Sequence, residues 1–127
     1  MARHDRIDTI QKLKEHPLKF SDLKRTANKF GLNQDQTSLL ANISPRTLKS
    51  KSELTPLSFR LSEQILLLEE LYQIGLDVFD SNEASFQDWL KTSIPALENH
   101  IPNDLLTSQL GIDVVKEELL RIEHGVY

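Results

Sequence analysis

Residues 31–52 read GLNQDQTSLLANISPRTLKSKS, and this stretch decides how the first half of the chain folds. Asn33 is placed to cap a first helix. Asn42 stands where a tight turn needs a positive φ, which asparagine tolerates better than most residues. Ser44 then caps a second helix, with Pro45 at its first position, where a missing N–H costs nothing. The stretch predicts a helix, a tight turn and a second helix.

The second of these helices has a short, polar and cationic outer face. Leu48 is placed to pack inward, which turns its neighbours outward. A helix with such a face can enter the major groove of DNA and contact the flanking phosphates. The spacing resembles a helix-turn-helix, although Thr37, Ser38 and Asn42 depart from the usual pattern, and an ordinary helical hairpin with a solvated basic face is the alternative. The predicted DNA-binding residues are Gln34, Arg46, Thr47, Lys49, Ser50 and Lys51.

The charges divide the chain after Arg60. Residues 1–60 hold twelve Lys and Arg against six Asp and Glu, a net charge of +6, whereas residues 61–127 hold three against thirteen, a net charge of −10. An acidic surface repels phosphate, so the pattern indicates a basic module for a polyanion joined to an acidic module for another partner. The break around Pro56 divides them, which gives residues 1–57 as a DNA-binding module and residues 58–127 as a second helical domain.

The composition limits the class of protein. With 127 residues, of which 39% are hydrophobic and 27% charged, the chain can form one domain or two very small ones that share a core. It has no cysteine, its four histidines lack metal-ligand spacing and it has no glycine-rich phosphate loop, so we expect no enzyme, no metal and no cofactor. The longest apolar run, residues 65–68, is too short to span a membrane, and no signal-peptide pattern opens the chain. We therefore expect a cytoplasmic protein with no membrane partner.

The residue usage predicts an all-α chain, because glycine and valine are few and Leu, Glu, Lys and Gln are many. A first helix is expected over residues 5–15, and a second begins after Ser21 as its N-cap. Asp80 and Glu83 have capping-box spacing and open a later helix. That helix carries Trp89, which we interpret as a core residue.

A long central helix is predicted over residues 61–79. Residues 65–68 are four consecutive apolar positions, which cover most of a helix circumference at about 100° per residue. The helix must therefore be buried on more than one side, either wholly inside its own domain or also against a second chain. The second case predicts a homodimer, with an interface that includes Ile65, Leu66 and Leu67.

Two further helices are expected toward the end of the chain. A short one begins near Asp104, and Gly111 is predicted to end it. The last covers about residues 113–124, where Glu117 and Arg121 have the spacing of an i,i+4 ion pair.

The second half also carries motifs of a known family. WL at 89–90 is followed by PAL at 95–97, IPNDLL at 101–106, a glycine at 111 and IEHGVY at 122–127. In this order and spacing they resemble the toxin-binding domain of the Xre/MbcA/ParS antitoxin family, over roughly residues 61–127. The stretch at 31–51 is similar to the helix-turn-helix that these antitoxins carry upstream.

This resemblance implies a function and two partners. Members pair with RES-domain toxins, which consume NAD⁺ or transfer groups from it; the antitoxin covers the toxin's NAD⁺ pocket, represses the shared operon and is not itself catalytic. The implied partners are thus a RES-domain toxin and operator DNA. The alternatives are a stand-alone helix-turn-helix repressor whose acidic half senses a ligand or protein, and a helical adaptor with no DNA role. The implied toxin-binding residues are Arg121, Ile122, Glu123, His124, Gly125, Val126 and Tyr127.

One loop departs from the family pattern. The family usually has two glycines and an arginine where this chain has Glu98, Asn99 and His100. We therefore expect a different bend in this loop. Ile101 replaces a threonine that would cap the next helix, which leaves Asp104 alone to serve that N-terminus.

Overall fold

The computed structural model of the protein describes residues 3–125, which form eight α-helices and one short 3-10 helix. No β-strand forms among these residues, which contain two isolated bridges, Lys19 with Pro56 and Ile94 with His100. The predicted all-α fold is confirmed. The helices are Arg3–Glu15 (α1), Phe20–Phe30 (α2), Gln34–Ala41 (α3), Pro45–Ser50 (α4), Phe59–Val78 (α5), Glu83–Leu90 (α6), Pro95–Leu97 (the 3-10 helix), Pro102–Leu105 (α7) and Gln109–Glu123 (α8).

The two helices and the turn predicted from residues 31–52 are confirmed, and local capping explains them. Asn33 accepts the N–H of Gln36 at 2.7 Å, and the Gln36 side chain accepts the N–H of Asn33 at 2.9 Å. Asn42 has a φ of 56°. Ser44 Oγ accepts the N–H of Thr47 at 3.1 Å. These contacts satisfy the first amides of α3 and α4, which have no partner within their own helix.

The long helix α5 lies at the centre of the hydrophobic core. Its Ile65, Leu68 and Tyr72 are at most 2% exposed. It packs against α2 from the first half of the chain and against α6 and α8 from the second. The core is therefore continuous across both halves, and its other fully buried side chains include Leu23, Phe30, Phe86, Leu90, Leu106, Val115 and Leu119.

The break between the halves is packed rather than open. Leu57 is 5% exposed, and its N–H donates to the carbonyl of Leu18 at 2.7 Å. The division into residues 1–57 and 58–127 stays a prediction about function, since both parts contribute to one core.

Two of the predicted N-cap residues are wrong, and the first is that of α2. Its N-cap is Lys19, whose N–H donates to the carboxylate of Asp22 at 2.8 Å. The N–H of Ser21 instead donates to the carbonyl of Glu53 at 3.0 Å. A distant segment thus satisfies an amide of the first turn, so the helix does not need the serine as its cap.

The second corrected N-cap residue is that of α6. Asp80 and Ser81 have φ values of 53° and 63° and belong to the turn that follows α5. The N-cap is Asn82, whose side chain accepts the N–H of Ser85 at 3.0 Å. Aspartate tolerates the left-handed conformation better than most residues, so Asp80 serves the turn and the following asparagine serves the helix.

The prediction that Gly111 ends a helix is wrong. Gly111 lies in the first turn of α8. Its N–H donates to Oγ of the N-cap Ser108 at 3.1 Å. A Cβ atom at this position would lie 1.6 Å from the carbonyl oxygen of Leu105. The glycine therefore allows α7 and α8 to approach each other closely, and α8 begins four residues earlier than expected, at Gln109.

Candidate functional sites

The predicted DNA-binding face is formed by α4 and the start of α3. Leu48 is buried and fixes the orientation of α4, whereas Thr47 is half-buried and its hydroxyl accepts from Ser44 Oγ at 3.0 Å. Gln34 lies exposed in the first turn of α3. No ion pair involves the cations of this face within residues 3–125, so their charges are free to meet an anion. The exposed residues of α4 and its C-cap are Arg46, Lys49, Ser50 and Lys51.

Two polar contacts join this face to the second half of the chain. Gln36, which caps α3, donates through Nε2 to Oδ1 of Asp104 at 2.7 Å. Asn103 is 1% exposed, and its Nδ2 donates to the carbonyl of Phe30 at 3.0 Å. The turn between α2 and α3 is therefore held directly against α7.

A third connection pairs α2 with the central helix. Glu69 on α5 accepts from Lys29 Nζ and from Thr26 Oγ1, each at 2.6 Å. Burial alone raises the pKa of the Glu69 carboxyl, but these two hydrogen bonds and the Lys29 charge outweigh it and leave the pKa lowered. The carboxylate is therefore held in its charged form by the first half of the chain.

Replacing Glu69 by glutamine is expected to lower the free energy of unfolding at neutral pH by about 1 kcal/mol. This value allows for solvent screening, because a third of the Glu69 side chain is exposed. A lowered folded-state pKa contributes stability above the ordinary pKa of 4.5, and this stability disappears as the pH falls through the folded value. The difference in the free energy of unfolding between the wild type and Glu69→Gln should thus become smaller at acidic pH. Urea unfolding at pH 7 and pH 3 measures it, with Glu63→Gln on the same helix as control.

Helix α6 is anchored to α5 by a buried phenol. Tyr72 donates its hydroxyl hydrogen to Glu83 on α6 at 2.6 Å. Burial, followed by the hydrogen bond and charge of Glu83, raises the pKa of Tyr72 to about 12. Trp89 on the same helix is half-buried and stacks on Phe86, with ring centroids 6.4 Å apart, in agreement with its interpretation as a core residue.

The residues expected to meet a toxin lie at the exposed end of α8. Arg121 pairs with Glu118 at 3.2 Å rather than with the predicted Glu117. Glu118 is 8% exposed and lies on the side of α8 that faces the core, so the arginine stem lies along the helix toward it. The charge of Arg121 is therefore partly neutralised within its own chain.

The rest of this end is open to solvent. Ile122 is half-buried, whereas Glu123, His124 and Gly125 are exposed. Gly125 has a φ of 67°, as expected for a glycine that follows a helix. The predicted toxin-binding residues Val126 and Tyr127 lie outside the described residues.

The loop that departs from the family pattern has backbone angles that glycine favours, and the different bend expected there stays a prediction. Glu98 and Asn99 have φ values of 54° and 64°, in the left-handed region. The carbonyl of His100 accepts the N–H of Ile94 at 3.1 Å and closes the loop. Ile101 provides no side-chain cap to α7, as predicted.

The predicted dimer residues occupy different environments. Ile65 is 1% exposed and packs in the core of its own chain, so it offers no surface to a second chain. Leu66 and Leu67 are half-buried. The prediction for Ile65 is corrected to a core role, because α1, α2, α6 and α8 together cover α5 more completely than the sequence pattern indicates.

Within residues 3–125, no group of three His, Asp or Glu side chains is placed to hold a metal ion. Over the same residues, no helix is both long and apolar enough to cross a membrane.

The helices from the end of α5 to α8 match a known type of binding domain. Residues 75–125 match the family model of the antitoxin Xre/MbcA/ParS C-terminal toxin-binding domain. Residues 75–125 are therefore similar to a helical toxin-binding domain of antitoxins. The match agrees with the resemblance that the sequence motifs indicated. A search of curated proteins found no match to the chain.

Proposed function

We propose that this protein is an antitoxin that neutralises a RES-domain toxin by covering the toxin's NAD⁺ pocket. The observation that carries the proposal is the toxin-binding domain match, which ends at the exposed C-terminal end of α8. A pocket that binds anionic NAD⁺ needs cationic groups. Residues 61–127, with a net charge of −10, provide the complementary charge.

We also propose that the protein binds operator DNA and represses its own operon from the cytoplasm. The support is the net charge of +6 in residues 1–60 and the exposed Arg46 and Lys49 of α4, which form no ion pair with any residue in the described range 3–125. A dimer would present two such helices to two half-sites, as DNA-binding proteins of this type commonly do. The contacts of Gln36 and Asn103 would hold the DNA-binding face and the toxin-binding domain in one orientation.

Co-purification with the product of the gene adjacent to its own, which the proposal expects to be a RES-domain toxin, tests the first proposal. The expected result is a stable complex that weakens when NAD⁺ is added in excess, because both ligands would occupy one pocket. No complex at micromolar concentrations would contradict the proposal and favour a stand-alone repressor. A complex that is insensitive to NAD⁺ would place the contact outside the pocket.

A further inference from the structure

The outer face of α8 carries two large apolar side chains that the fold does not use. Leu110 is 79% exposed and Val114 is 43% exposed. They are four residues apart in one helix, so they lie on the same face, one turn from each other. Among the described residues that match the toxin-binding domain, they are the only large hydrophobic side chains classed as exposed.

The same face leads to the C-terminal end of the helix. We define the α8 stripe as the four residues Leu110, Val114, Glu117 and Arg121. At 100° per residue, their side chains lie within about 60° of one another around the helix axis. The stripe is about 16 Å long at a rise of 1.5 Å per residue. All four of its residues are exposed. An apolar half is thus continuous with the charged half that ends beside Glu123 and His124.

The opposite face of α8 fixes this orientation. Ile112, Val115 and Leu119 are at most 2% exposed in the core. Gly111 lies against the backbone of Leu105, and a Cβ there would collide with it. The helix cannot rotate to hide the stripe without removing these contacts, so Leu110 and Val114 stay on the surface of the isolated chain.

We infer that the α8 stripe docks on the toxin, with Leu110 and Val114 in the centre of the contact and Arg121 at the edge of the NAD⁺ pocket. The inference rests on the proposed function and adds an anchor outside the pocket. The centres of protein interfaces are apolar and depleted in charge, and a few such residues carry most of the affinity. The toxin surface that fits the α8 stripe is an apolar patch with a basic rim, because the acidic residues Asp113 and Glu117 flank Leu110 and Val114.

The position of the pair favours the toxin over a second copy of this chain. Other exposed leucines, Leu39 and Leu54, lie outside residues 75–125. The pair lies within the toxin-binding domain and on the face that reaches the predicted neutralising end. A second copy would instead have to meet a stripe flanked by acidic residues within a half that carries a net charge of −10.

The test uses calorimetry to measure the affinity of Leu110→Glu and Val114→Glu variants for the toxin. The toxin used is the product of the adjacent gene, which the proposed function expects to be a RES-domain protein. Leu54→Glu is the matched control, since Leu54 is 72% exposed outside the domain. Glutamate in the first turn of α8 suits the helix dipole, so Leu110→Glu is expected to fold. The melting temperature of Leu110→Glu checks that it folds. If this temperature is lower than that of the wild type, Leu110→Gln is used in its place.

We expect each stripe variant to weaken toxin binding by about 30-fold, a hot-spot effect, while Leu54→Glu binds like the wild type. Equal affinity of wild type and stripe variants would overturn the inference and leave the proposed function intact. If the wild type does not bind the toxin, both fail. A stripe variant that loses self-association in sedimentation but keeps its toxin affinity would assign the surface to a second copy and also overturn the inference.

Discussion

The double variant Arg46→Ala, Lys49→Ala is expected to bind the promoter DNA of its own operon about 100-fold more weakly than the wild type. Both side chains are exposed on α4, and neither is paired within residues 3–125. A contact to a base or phosphate contributes about 1–3 kcal/mol, and each lost phosphate contact lowers the slope of affinity against salt by about 1. Fluorescence anisotropy at several salt concentrations measures both quantities.

The matched control removes the same charge from another helix of the basic half. Lys12 and Lys14 on α1 are exposed, and Lys12→Ala, Lys14→Ala also lowers the net charge by two. Its affinity should change little. Equal losses in the two double variants would show that overall charge, not the face of α4, governs binding. Unchanged affinity in the α4 variant would remove the DNA-binding assignment.

Removal of residues 125–127 is expected to abolish most of the neutralising activity and leave the fold intact. Gly125 is exposed, and its N–H donates to the carbonyl of Ile122 at 3.2 Å at the end of α8. The truncation therefore removes no described core contact. Under the proposed function this end would enter the toxin's NAD⁺ pocket, so the concentration needed for half-inhibition should rise by at least about 10-fold.

Protection of toxin-expressing cells at equal antitoxin levels measures the effect of the truncation. The melting temperature and the DNA affinity of the truncated protein serve as controls, and both should match the wild type. Full protection by the truncated protein would contradict the assignment. The α8 stripe would then be the better candidate for the inhibitory contact.

Local signals in the sequence predicted the first half of the fold well. The caps Asn33 and Ser44 and the turn residue Asn42 act within one helical turn, so neighbouring residues suffice to recognise them. Ser21 was misinterpreted as a cap because the acceptor for its amide, Glu53, lies more than thirty residues away in the chain. Sequence alone shows no such partner.

The candidate binding surfaces were predicted only in part. The exposed face of α4 followed from the position of Leu48, whereas burial of Ile65 depends on helices that pack around α5 from both halves of the chain. Leu110 was missed because Gly111 was interpreted as a helix stop, which left the first turn of α8 out of the helical pattern. The N-cap signal of Ser108 could have corrected this interpretation.

Titration of the toxin's NAD⁺ consumption with the purified protein tests whether the protein neutralises the toxin by covering its NAD⁺ pocket. The toxin is the product of the adjacent gene, expected to be a RES-domain protein, and is held at a concentration well above the expected dissociation constant. We expect the activity to fall linearly and to vanish near a fixed stoichiometric ratio, because the bound protein covers the pocket. Undiminished NAD⁺ consumption in the presence of a large excess of antitoxin would contradict it.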